Sequence, residues 1–326
     1  MKALVYEGPK SVVYRDVDTP QLGPDLQLIR IEAVGICGSD MHAYLGHDER
    51  RPAPLILGHE AAGLVIEGSL AGQRVTINPL VSCGVCPACV AQRENICPAR
   101  EIISMPPREG AFAQYVQMPE QNLVEVPKEY PLSKAALVEP LAVSWHTAKL
   151  ALEALHPSME KKALIIGGGA IGVAAALALQ AQGVRDVTLT EPNAERRDFI
   201  AQHVRATITA QTQDFFPIII DAVGISASRQ LASKHVEAGG VIAHVGLGDN
   251  REGLDVRRFT LQEISFIGTY TYTAQDFRDT AQALFEGRLG DLEWIEKRPL
   301  SGGAQAFDDL FHNRVAAPKI VLNPWE

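Results

Sequence analysis

The stretch KKALIIGGGAIGVAAALALQAQG at residues 161–183 limits the folds open to this chain more than any other stretch. A branched apolar run at 163–166 leads into Gly167-x-Gly169-x-x-Gly172, and an alanine-rich run follows. This order predicts a strand, a tight turn and a helix, which is the context in which such glycines bind a dinucleotide. The glycines let the backbone approach a pyrophosphate, and the N-terminus of the helix favours its charge.

The same region needs to be distinguished from a membrane span. Residues 163–179 form a run of 17 without a charge, which is close to spanning length. Three adjacent glycines interrupt the run, so a strand followed by a helix is the better interpretation and no membrane partner is expected. The opening MKALVYEG lacks the features of a secretory signal, and we expect a cytoplasmic protein. A net charge of −9 argues against nucleic acid as a partner.

The segment VRDVTLTEPNAERR at 184–197 reads as the next strand and its end. Glu191 lies 19 residues after Gly172, near the distance expected for an acid on the adenosine ribose. A carboxylate there accepts hydrogen bonds from two hydroxyls and repels a 2′-phosphate, which favours NAD over NADP. Arg196 and Arg197 follow closely and could meet such a phosphate, although solvated helix arginines are the simpler interpretation. Alternating strand and helix patterns continue to about residue 275.

Four of the five cysteines in the 326-residue chain fall between positions 83 and 97, with the spacing C-x2-C-x2-C-x7-C. Disulfides are disfavoured because neighbours only three apart rarely pair and nothing marks the chain as secreted. An iron–sulfur cluster is a second alternative, but its usual last spacing is shorter. Tetrahedral zinc held by four thiolates is favoured. Such a site is closed to substrate, so Cys83, Cys86, Cys89 and Cys97 would have a structural role.

A catalytic zinc keeps one position open, and its ligands must lie outside this cluster. The segments GICGSDMH at 35–42 and LGHEAAGLV at 57–65 offer the candidates. Together with the four-cysteine segment and the dinucleotide motif, in this order, they resemble the zinc-dependent medium-chain dehydrogenase/reductase superfamily. The resemblance covers nearly the whole chain. It implies Cys37 and His59 as ligands of a catalytic zinc, and therefore two zinc ions per chain.

The third ligand distinguishes branches of the superfamily. No cysteine follows Cys97, and the chain instead reads ALVEPLAVSWH at 136–146. In the polyol (sorbitol) and threonine dehydrogenase branch, which this segment resembles, the glutamate before proline lies at the zinc, and Glu139 corresponds to it. Glu60 also reaches the metal in some relatives. A second interpretation of Glu139 is an acid near a helix start, before Pro140 at the first helical position; the two roles are compatible.

Other site residues follow from the resemblance alone. Ser39 takes the first step of a proton relay, His42 continues it towards solvent, and Asp40 orients His59. The alternatives without a catalytic role are a turn hydroxyl for Ser39 and a surface histidine for His42. The implied cofactor contacts are Gly167, Gly169, Ala170, Ile171, Gly172, Glu191, Arg196, Val223 and Val245. Relatives join their cofactor sheets, so a homodimer or homotetramer is expected.

The resemblance also implies an α/β architecture of two domains. A GroES-like β-barrel catalytic domain would comprise residues 1–138 and 276–326, with a structural zinc lobe at 80–100. A Rossmann domain with a doubly wound parallel sheet would comprise 139–275. The cofactor half looks shortened around 204–217, where relatives carry another strand and helix.

The expected function is NAD-dependent transfer of hydride between the cofactor and a secondary alcohol, with polyols or sugar alcohols favoured as substrates. A threonine- or butanediol-type dehydrogenase is the alternative within the branch. A phosphorylated polyol is a further alternative, with Arg50, Arg51 and Arg108 as candidate phosphate contacts. A regulator that binds NAD and zinc without turnover is the alternative from another class, and the intact zinc-ligand pattern argues against it.

Overall fold

The computed structural model describes all residues from 1 to 326. The first part of the chain is rich in strands, separated by short helices. The strands are β1 (Lys2–Gly8), β2 (Ser11–Asp16), β3 (Leu26–Gly35), β4 (Leu55–Ile56), β5 (Glu60–Glu67), β6 (Arg74–Ile77), β7 (Leu80–Val81), β8 (Glu101–Ile102), β9 (Tyr115–Pro119) and β10 (Leu123–Glu125). The helices are α1 (Gly38–Tyr44), α2 (Pro87–Val90), α3 (Leu132–Ala135) and α4 (Val138–Ala154).

The middle of the chain alternates strands and helices. Its strands are β11 (Lys162–Ile166), β12 (Asp186–Thr190), β13 (Thr207–Thr209), β14 (Phe216–Asp221), β15 (Val236–His244) and β16 (Ser265–Gly268). Its helices are α5 (Ala170–Ala181), α6 (Ala194–His203), α7 (Ser226–His235), α8 (Val256–Gln262) and α9 (Ala274–Phe285). The chain ends with β17 (Ile295–Pro299), α10 (Gly303–Phe311) and β18 (Lys319–Asn323).

The middle segment forms one six-stranded sheet in the order β13-β12-β11-β14-β15-β16. All of its neighbours pair in parallel. Read from β11 as the first strand, this is the 3-2-1-4-5-6 order of the doubly wound dinucleotide-binding fold. The uncharged stretch at 163–179 forms β11, a turn and most of α5, as predicted. None of the helices is both long and apolar enough to cross a membrane.

The first part of the chain forms a seven-stranded sheet in the order β10-β6-β5-β3-β18-β17, with β9 also pairing with β3. A three-stranded sheet, β2-β1-β4, lies beside it. Two strands of the larger sheet come from the C-terminal end of the chain, and β18 pairs antiparallel with β3 through Val321 and Leu322. The expected β-barrel plus Rossmann architecture is therefore confirmed, with both chain ends contributing to the barrel side.

Two large hydrophobic clusters correspond to these two parts. One contains the barrel strands together with Phe307 and Ile320 from the C-terminal end. The other contains α4, α5 and one face of the parallel sheet. Its members also include Phe277 and Leu284 of α9, because α9 packs against α4. The domain limits at residues 138, 275 and 276 stay a prediction. Helix α9 begins close to the limit at 275 and packs with the cofactor half.

The shortened region at 204–217 retains the strand β13 but has no helix between β13 and β14. Side chains alternate across a strand, and Val187 and Leu189 of β12 point into the larger core. Their neighbours Thr188 and Thr190 are buried as well, and the Thr190 hydroxyl donates to the Ile165 carbonyl at 3.2 Å.

Helix α9 is fixed to α4 by a buried carboxylate. Asp276 Oδ2 accepts from His146 Nδ1 at 2.7 Å and from Thr273 Oγ1 at 2.8 Å, while Oδ1 accepts from Lys149 Nζ at 2.9 Å. Burial alone would raise the pKa of Asp276, but these three donors hold the pKa well below its usual 3.8. A carboxyl with a depressed pKa in the folded state stabilises the fold above its unfolded pKa, and this stability is lost as the pH falls.

We therefore expect Asp276→Asn to lower the free energy of unfolding by about 3 kcal/mol at pH 7. The difference from the wild type should shrink as the pH falls below 3.8, because the carboxylate becomes protonated in the unfolded chain first. Urea unfolding at a series of pH values measures this. Asp279→Asn on the same helix is the control, and an unchanged stability of Asp276→Asn at pH 7 would contradict the assignment.

Candidate active site

A cavity of about 630 Å³ lies between the barrel side and the parallel sheet. Side chains of both parts line it. The barrel side contributes Cys37, Gly38, Ser39, His42, His47, Asp48, Arg50, Arg51, His59, Pro79, Leu80, Ile102 and Met105. The remaining lining residues, from α4 onwards, are Glu139, Val143, Ile171, Ala222, Val223, Val245, Gly246, Leu247, Gly248, Thr269, Tyr270, Thr271 and Tyr272.

Three side chains at the barrel wall come together as a candidate metal site. One ligand atom each of Cys37, His59 and Glu60 lies within 4.8 Å of the others. Cys37 lies two residues after the end of β3, while His59 and Glu60 stand at the start of β5, which pairs with β3. The pairing of Gly35 with Glu60 therefore sets the separation of these ligands. A thiol, an imidazole and a carboxylate are the donor types that zinc prefers.

The His59 ring is oriented by groups on both of its nitrogens. Nδ1 lies 3.6 Å from Asp40 Oδ1 and 3.5 Å from Ser104 Oγ, and Nε2 lies 3.5 Å from Ser39 Oγ. A carboxylate behind the distal nitrogen is the usual support for a metal-binding histidine. Burial would lower the pKa of His59, but the charges of Asp40 and Cys37 raise the pKa well above its usual value.

Glu60 has a partner that the sequence did not reveal. Lys319 Nζ, on the C-terminal strand β18, donates to Glu60 Oε1 at 2.6 Å, to Oε2 at 2.8 Å and to the Ile36 carbonyl at 2.8 Å. Both side chains are buried. Burial alone would lower the pKa of Lys319, but the charge of Glu60 raises the pKa. The lysine therefore remains protonated and neutralises this carboxylate.

Glu139 lies on α4 and lines the cavity, but it is outside the three-residue set. Its Oε1 accepts from Tyr272 Oη at 2.8 Å. Burial, together with the nearby Glu60 carboxylate, raises the pKa of Glu139 to about 7 against the opposing effects of His59, Tyr272 and Lys319. A buried carboxylate with a single hydroxyl partner gains free energy from a cation within reach. The chain thus offers two carboxylates to one site, and only Glu60 is neutralised by a lysine.

The four remaining cysteines form a second, separate cluster. The Sγ–Sγ distances are 3.9 Å for Cys83–Cys89, 3.5 Å for Cys86–Cys89 and 3.5 Å for Cys83–Cys97. Sulfurs bound to one tetrahedral zinc at about 2.3 Å would stand about 3.8 Å apart, whereas a disulfide would join them at about 2.05 Å. The thiols therefore fit zinc. Burial raises the pKa of Cys89 to about 11, so this thiol needs a cation before it ionises at neutral pH.

The cysteine lobe contacts the segment that closes the cavity. Asn95 Nδ2 donates to the Tyr270 carbonyl at 2.8 Å, and the Arg100 guanidinium lies 5.0 Å from the centre of the Tyr270 ring. Tyr272 is two residues further on and donates to Glu139. A stable lobe thus supports the position of two cavity-lining tyrosines, which gives the structural cluster an indirect effect on the site.

The turn between β11 and α5 fits a dinucleotide phosphate. Gly167 has φ +102°, a conformation that other residues rarely adopt, and a Cβ at Gly172 would lie 1.8 Å from the Gly167 carbonyl oxygen. Gly169 caps α5 and has open space beside it, followed by Ala170 in the first turn. Gly167 is thus needed for the turn and Gly172 for close packing, and the first turn of α5 is left accessible.

Glu191 follows β12 beside this turn. Its Oε2 accepts from the Gly168 N–H at 2.9 Å, and its Oε1 accepts from the Asn193 N–H at 2.8 Å. Each oxygen keeps a lone pair for a further donor. Arg196 reaches the Val315 carbonyl at 3.4 Å, and Arg197 donates to the Glu191 and Pro192 carbonyls. Both arginines are therefore engaged with the backbone.

The remaining predicted cofactor residues divide into two groups. Ile171, Val223 and Val245 line the cavity, whereas the three motif glycines, Ala170, Glu191 and Arg196 stand outside its lining. The buried Thr271 hydroxyl also lines the cavity and has no hydrogen-bond partner. A buried hydroxyl without a partner in the cavity wall is a candidate hydrogen-bonding group for the carboxamide of a nicotinamide.

Sequence reasoning missed several residues of the site. Lys319 had a signal, because it is a single charge in the strand pattern PKIVLNP, and a buried lysine requires an anionic partner. Tyr272, Ser104 and Asp48 had none, since their roles depend on contacts between segments far apart in the chain.

An accessible Cys/His/carboxylate set facing a dinucleotide-type sheet is suited to moving hydride between a nicotinamide and an oxygen-bearing carbon. The fold and site thus define a zinc-dependent oxidoreductase. The chain belongs to the family of zinc-binding dehydrogenases: the pattern "Alcohol dehydrogenase GroES-like domain" matches residues 23–128, and "Zinc-binding dehydrogenase" matches 170–286.

Individual relatives agree with this membership. The chain is 32% identical to sorbitol dehydrogenase of Bacillus subtilis over 83% of this chain and 82% of that protein. It is 28% identical to L-galactonate-5-dehydrogenase of Escherichia coli, over 96% of each chain. The structure of L-idonate 5-dehydrogenase from Escherichia coli superposes with a TM-score of 0.87 at 25% identity, covering 99% of this chain and 97% of that one.

The Glu60–Lys319 pair yields a stability prediction. We expect Lys319→Met to lower the free energy of unfolding by about 3–5 kcal/mol in protein from which a chelator has removed zinc. The Glu60 carboxylate would then stay buried without a compensating charge. Lys319→Arg should retain most of the stability. Lys297→Met on the neighbouring strand β17 is the control. Guanidinium unfolding measures all three, and a loss below about 1 kcal/mol for Lys319→Met would contradict the role of the pair.

Proposed function

We propose that the protein oxidises a secondary hydroxyl of a polyol with NAD and catalyses the reverse reduction of the ketone. The observation that carries this proposal is the single cavity lined both by the metal-ligand candidates and by the ends of β14 and β15. A substrate there would lie between a Lewis acid and a nicotinamide. The sugar alcohol and sugar acid substrates named for the relatives above support this substrate class.

We propose Cys37, His59 and a carboxylate as ligands of a catalytic zinc, and the four-cysteine cluster as the site of a second, structural zinc. The catalytic ion would stabilise the alkoxide form of the substrate oxygen. Glu139 remains the favoured third ligand, because it faces the cavity and has one hydroxyl partner. Glu60 lies nearer to Cys37 and His59, but Lys319 engages both of its oxygens. Glu60 would reach the metal only by leaving the lysine.

Ser39 is proposed to accept the proton of the substrate hydroxyl. Its Oγ lies beside His59 Nε2, so it stands next to the position of the reacting oxygen. His42 lies one helical turn further along α1 and lines the same cavity. The proton would pass from Ser39 towards His42, and from there to solvent near the exposed His47. Asp40 acts through His59 and does not touch the substrate.

The proposed cofactor is NAD, with NADP disfavoured. Glu191 stands where the adenosine ribose would lie, and its carboxylate would repel a 2′-phosphate. Arg197 Nη1 donates to the Glu191 and Pro192 carbonyls, and Arg196 reaches the Val315 carbonyl. The preference for NAD therefore rests on the Glu191 carboxylate. All five cysteines are thiols. Thiols that hold zinc need a reducing compartment, and this supports the proposed cytoplasmic location.

A panel assay tests the proposal. Zinc-loaded protein with NAD and a set of C4–C6 polyols should produce NADH absorbance at 340 nm, and more slowly with NADP. Cys37→Ala should lower kcat/KM at least about 1000-fold and reduce the zinc content from two ions per chain to one. Cys37→Ala that retains full activity, or cofactor binding with no turnover of any alcohol, would overturn the proposal in favour of a binding protein.

We also propose that two chains pair through the parallel sheet. Strand β16 is an edge strand, and an uncovered edge offers backbone groups to another strand. Phe266 on β16 is 38% exposed, and Val256 and Leu261 on α8 are 65% and 66% exposed. These apolar side chains next to an open edge suit a second copy of the same surface.

Sedimentation equilibrium should give a mass of at least twice the 35.3 kDa of the chain. Phe266→Lys would bring like charges together across a twofold axis, so we expect it to shift the protein towards monomer. Val90→Lys, at an exposed site on the cysteine lobe, is the matched control. A monomeric wild type, or an unchanged mass for Phe266→Lys, would exclude this pairing.

A further inference from the structure

A group of charged side chains stands at the solvent end of the cavity, on the loop that follows α1. Asp48, Arg50 and Arg51 all line the cavity, as do His42 and His47, which precede them in the chain. The Arg50 side chain is 60% exposed, whereas that of Arg51 is 2% exposed. Arg51 Nε donates to the Ser104 carbonyl at 3.1 Å, and Ser104 lies beside His59. The group thus extends from the mouth of the cavity to the metal-ligand candidates.

The single carboxylate of Asp48 is shared by two guanidinium groups. Its Oδ1 accepts from Arg50 Nε at 2.8 Å, and its Oδ2 accepts from Arg50 Nη2 at 3.0 Å and also from Arg51 Nη1. Burial would raise the pKa of Asp48, but the two arginines lower the pKa to about 2. The three side chains together carry one excess positive charge at any physiological pH.

Donor capacity remains after these contacts. Arg50 Nη1 and Arg51 Nη2 make no hydrogen bond within the protein. The only other carboxylate that lines the cavity is Glu139 at its inner end. The chain as a whole has a net charge of −9, so the positive charge at the cavity mouth is a local feature. It offers a local binding site for an anion.

We propose that the substrate carries a carboxylate, and that Arg50 binds this carboxylate while a secondary hydroxyl of the same molecule lies at Cys37 and His59. Among polyhydroxy substrates, monocarboxylic acids are therefore preferred over neutral polyols. This assignment depends on the dehydrogenase activity proposed above and narrows its substrate.

The charge balance favours a carboxylate over a phosphate ester. One excess positive charge matches a monoanion, whereas a phosphate near neutral pH carries close to two negative charges. The Nε and Nη2 edge of Arg50 is already bound to Asp48. The Nη1 and Nη2 edge remains open, and its two N–H donors fit the two oxygens of a carboxylate. Arg108, the third arginine considered from the sequence, pairs with Glu101 and does not line the cavity. It therefore takes no part in this site.

Steady-state kinetics with matched substrates tests the proposal. Aldonates (gluconate, galactonate, idonate), hexitols (sorbitol, galactitol) and hexitol 1-phosphates are compared with NAD. We expect the highest kcat/KM with an aldonate. Arg50→Gln should raise KM for that aldonate about 10- to 100-fold, as the loss of a charge-assisted hydrogen bond requires, with little change in kcat. KM for a neutral diol such as 2,3-butanediol should be unchanged, and Arg108→Gln is the matched control.

A neutral hexitol or a hexitol phosphate that is oxidised at least as efficiently as every aldonate would overturn the proposal. An equal rise in KM for charged and neutral substrates in Arg50→Gln would also overturn it. Calorimetric titration of the same aldonates into the NAD-bound protein needs no turnover. It should show binding that weakens about 10-fold or more in Arg50→Gln, and no binding of any aldonate would contradict the assignment. Failure of the dehydrogenase activity itself is recognised separately, as the absence of NADH with every alcohol in the panel.

Discussion

The accumulation of negative charge at the base of the cleft governs the arrangement of the site. A thiol and two carboxylates, Cys37, Glu60 and Glu139, converge on His59 in a largely buried position, where unpaired anions are costly. Lys319 neutralises one carboxylate, and a hydroxyl from Tyr272 partly supports the other. The Cys37 thiol and the Glu139 carboxyl, whose pKa is raised to about 7, pair with no lysine or arginine within the protein. A bound metal cation would stabilise the ionised forms of both groups, which explains why the site is suited to a metal held by segments that the sheets fix rigidly.

Each structural part of the chain supplies one element of this arrangement. The pairing of β3 with β5 sets the distance between Cys37 and His59, and the C-terminal strand β18 brings Lys319 beneath them. Helix α4 crosses from the barrel side to the parallel sheet and carries Glu139. The cysteine lobe holds the segment of Tyr270 and Tyr272 through Asn95. The cofactor half then presents its strand ends to the same cavity, so that the proposed metal and nicotinamide sites share one cavity.

Much of this could be predicted from the sequence because the responsible signals are local. The glycine motif in its strand–helix context gave the parallel sheet, and the cysteine spacing gave a closed cluster of four thiols. Long-range partners had no local signal: nothing in the pattern near Glu60 indicates a lysine 259 residues away. Element limits also depend on partners far along the chain. The composition of SASRQLASKHVEAGG favours one helix with a glycine stop, but α7 ends at His235 and residues from Val236 join β15. The helix ends early because pairing with β14, seen at Phe216 and Val236, outweighs local helix preference.

The most direct test of the account is anomalous diffraction at the zinc edge from crystals grown with zinc and NAD. We expect two peaks per chain: one centred among the sulfurs of Cys83, Cys86, Cys89 and Cys97, and one bound by Cys37, His59 and a carboxylate that faces the nicotinamide. A single peak at the four sulfurs, with the Cys37 and His59 side chains bound to no ion under these conditions, would contradict the account.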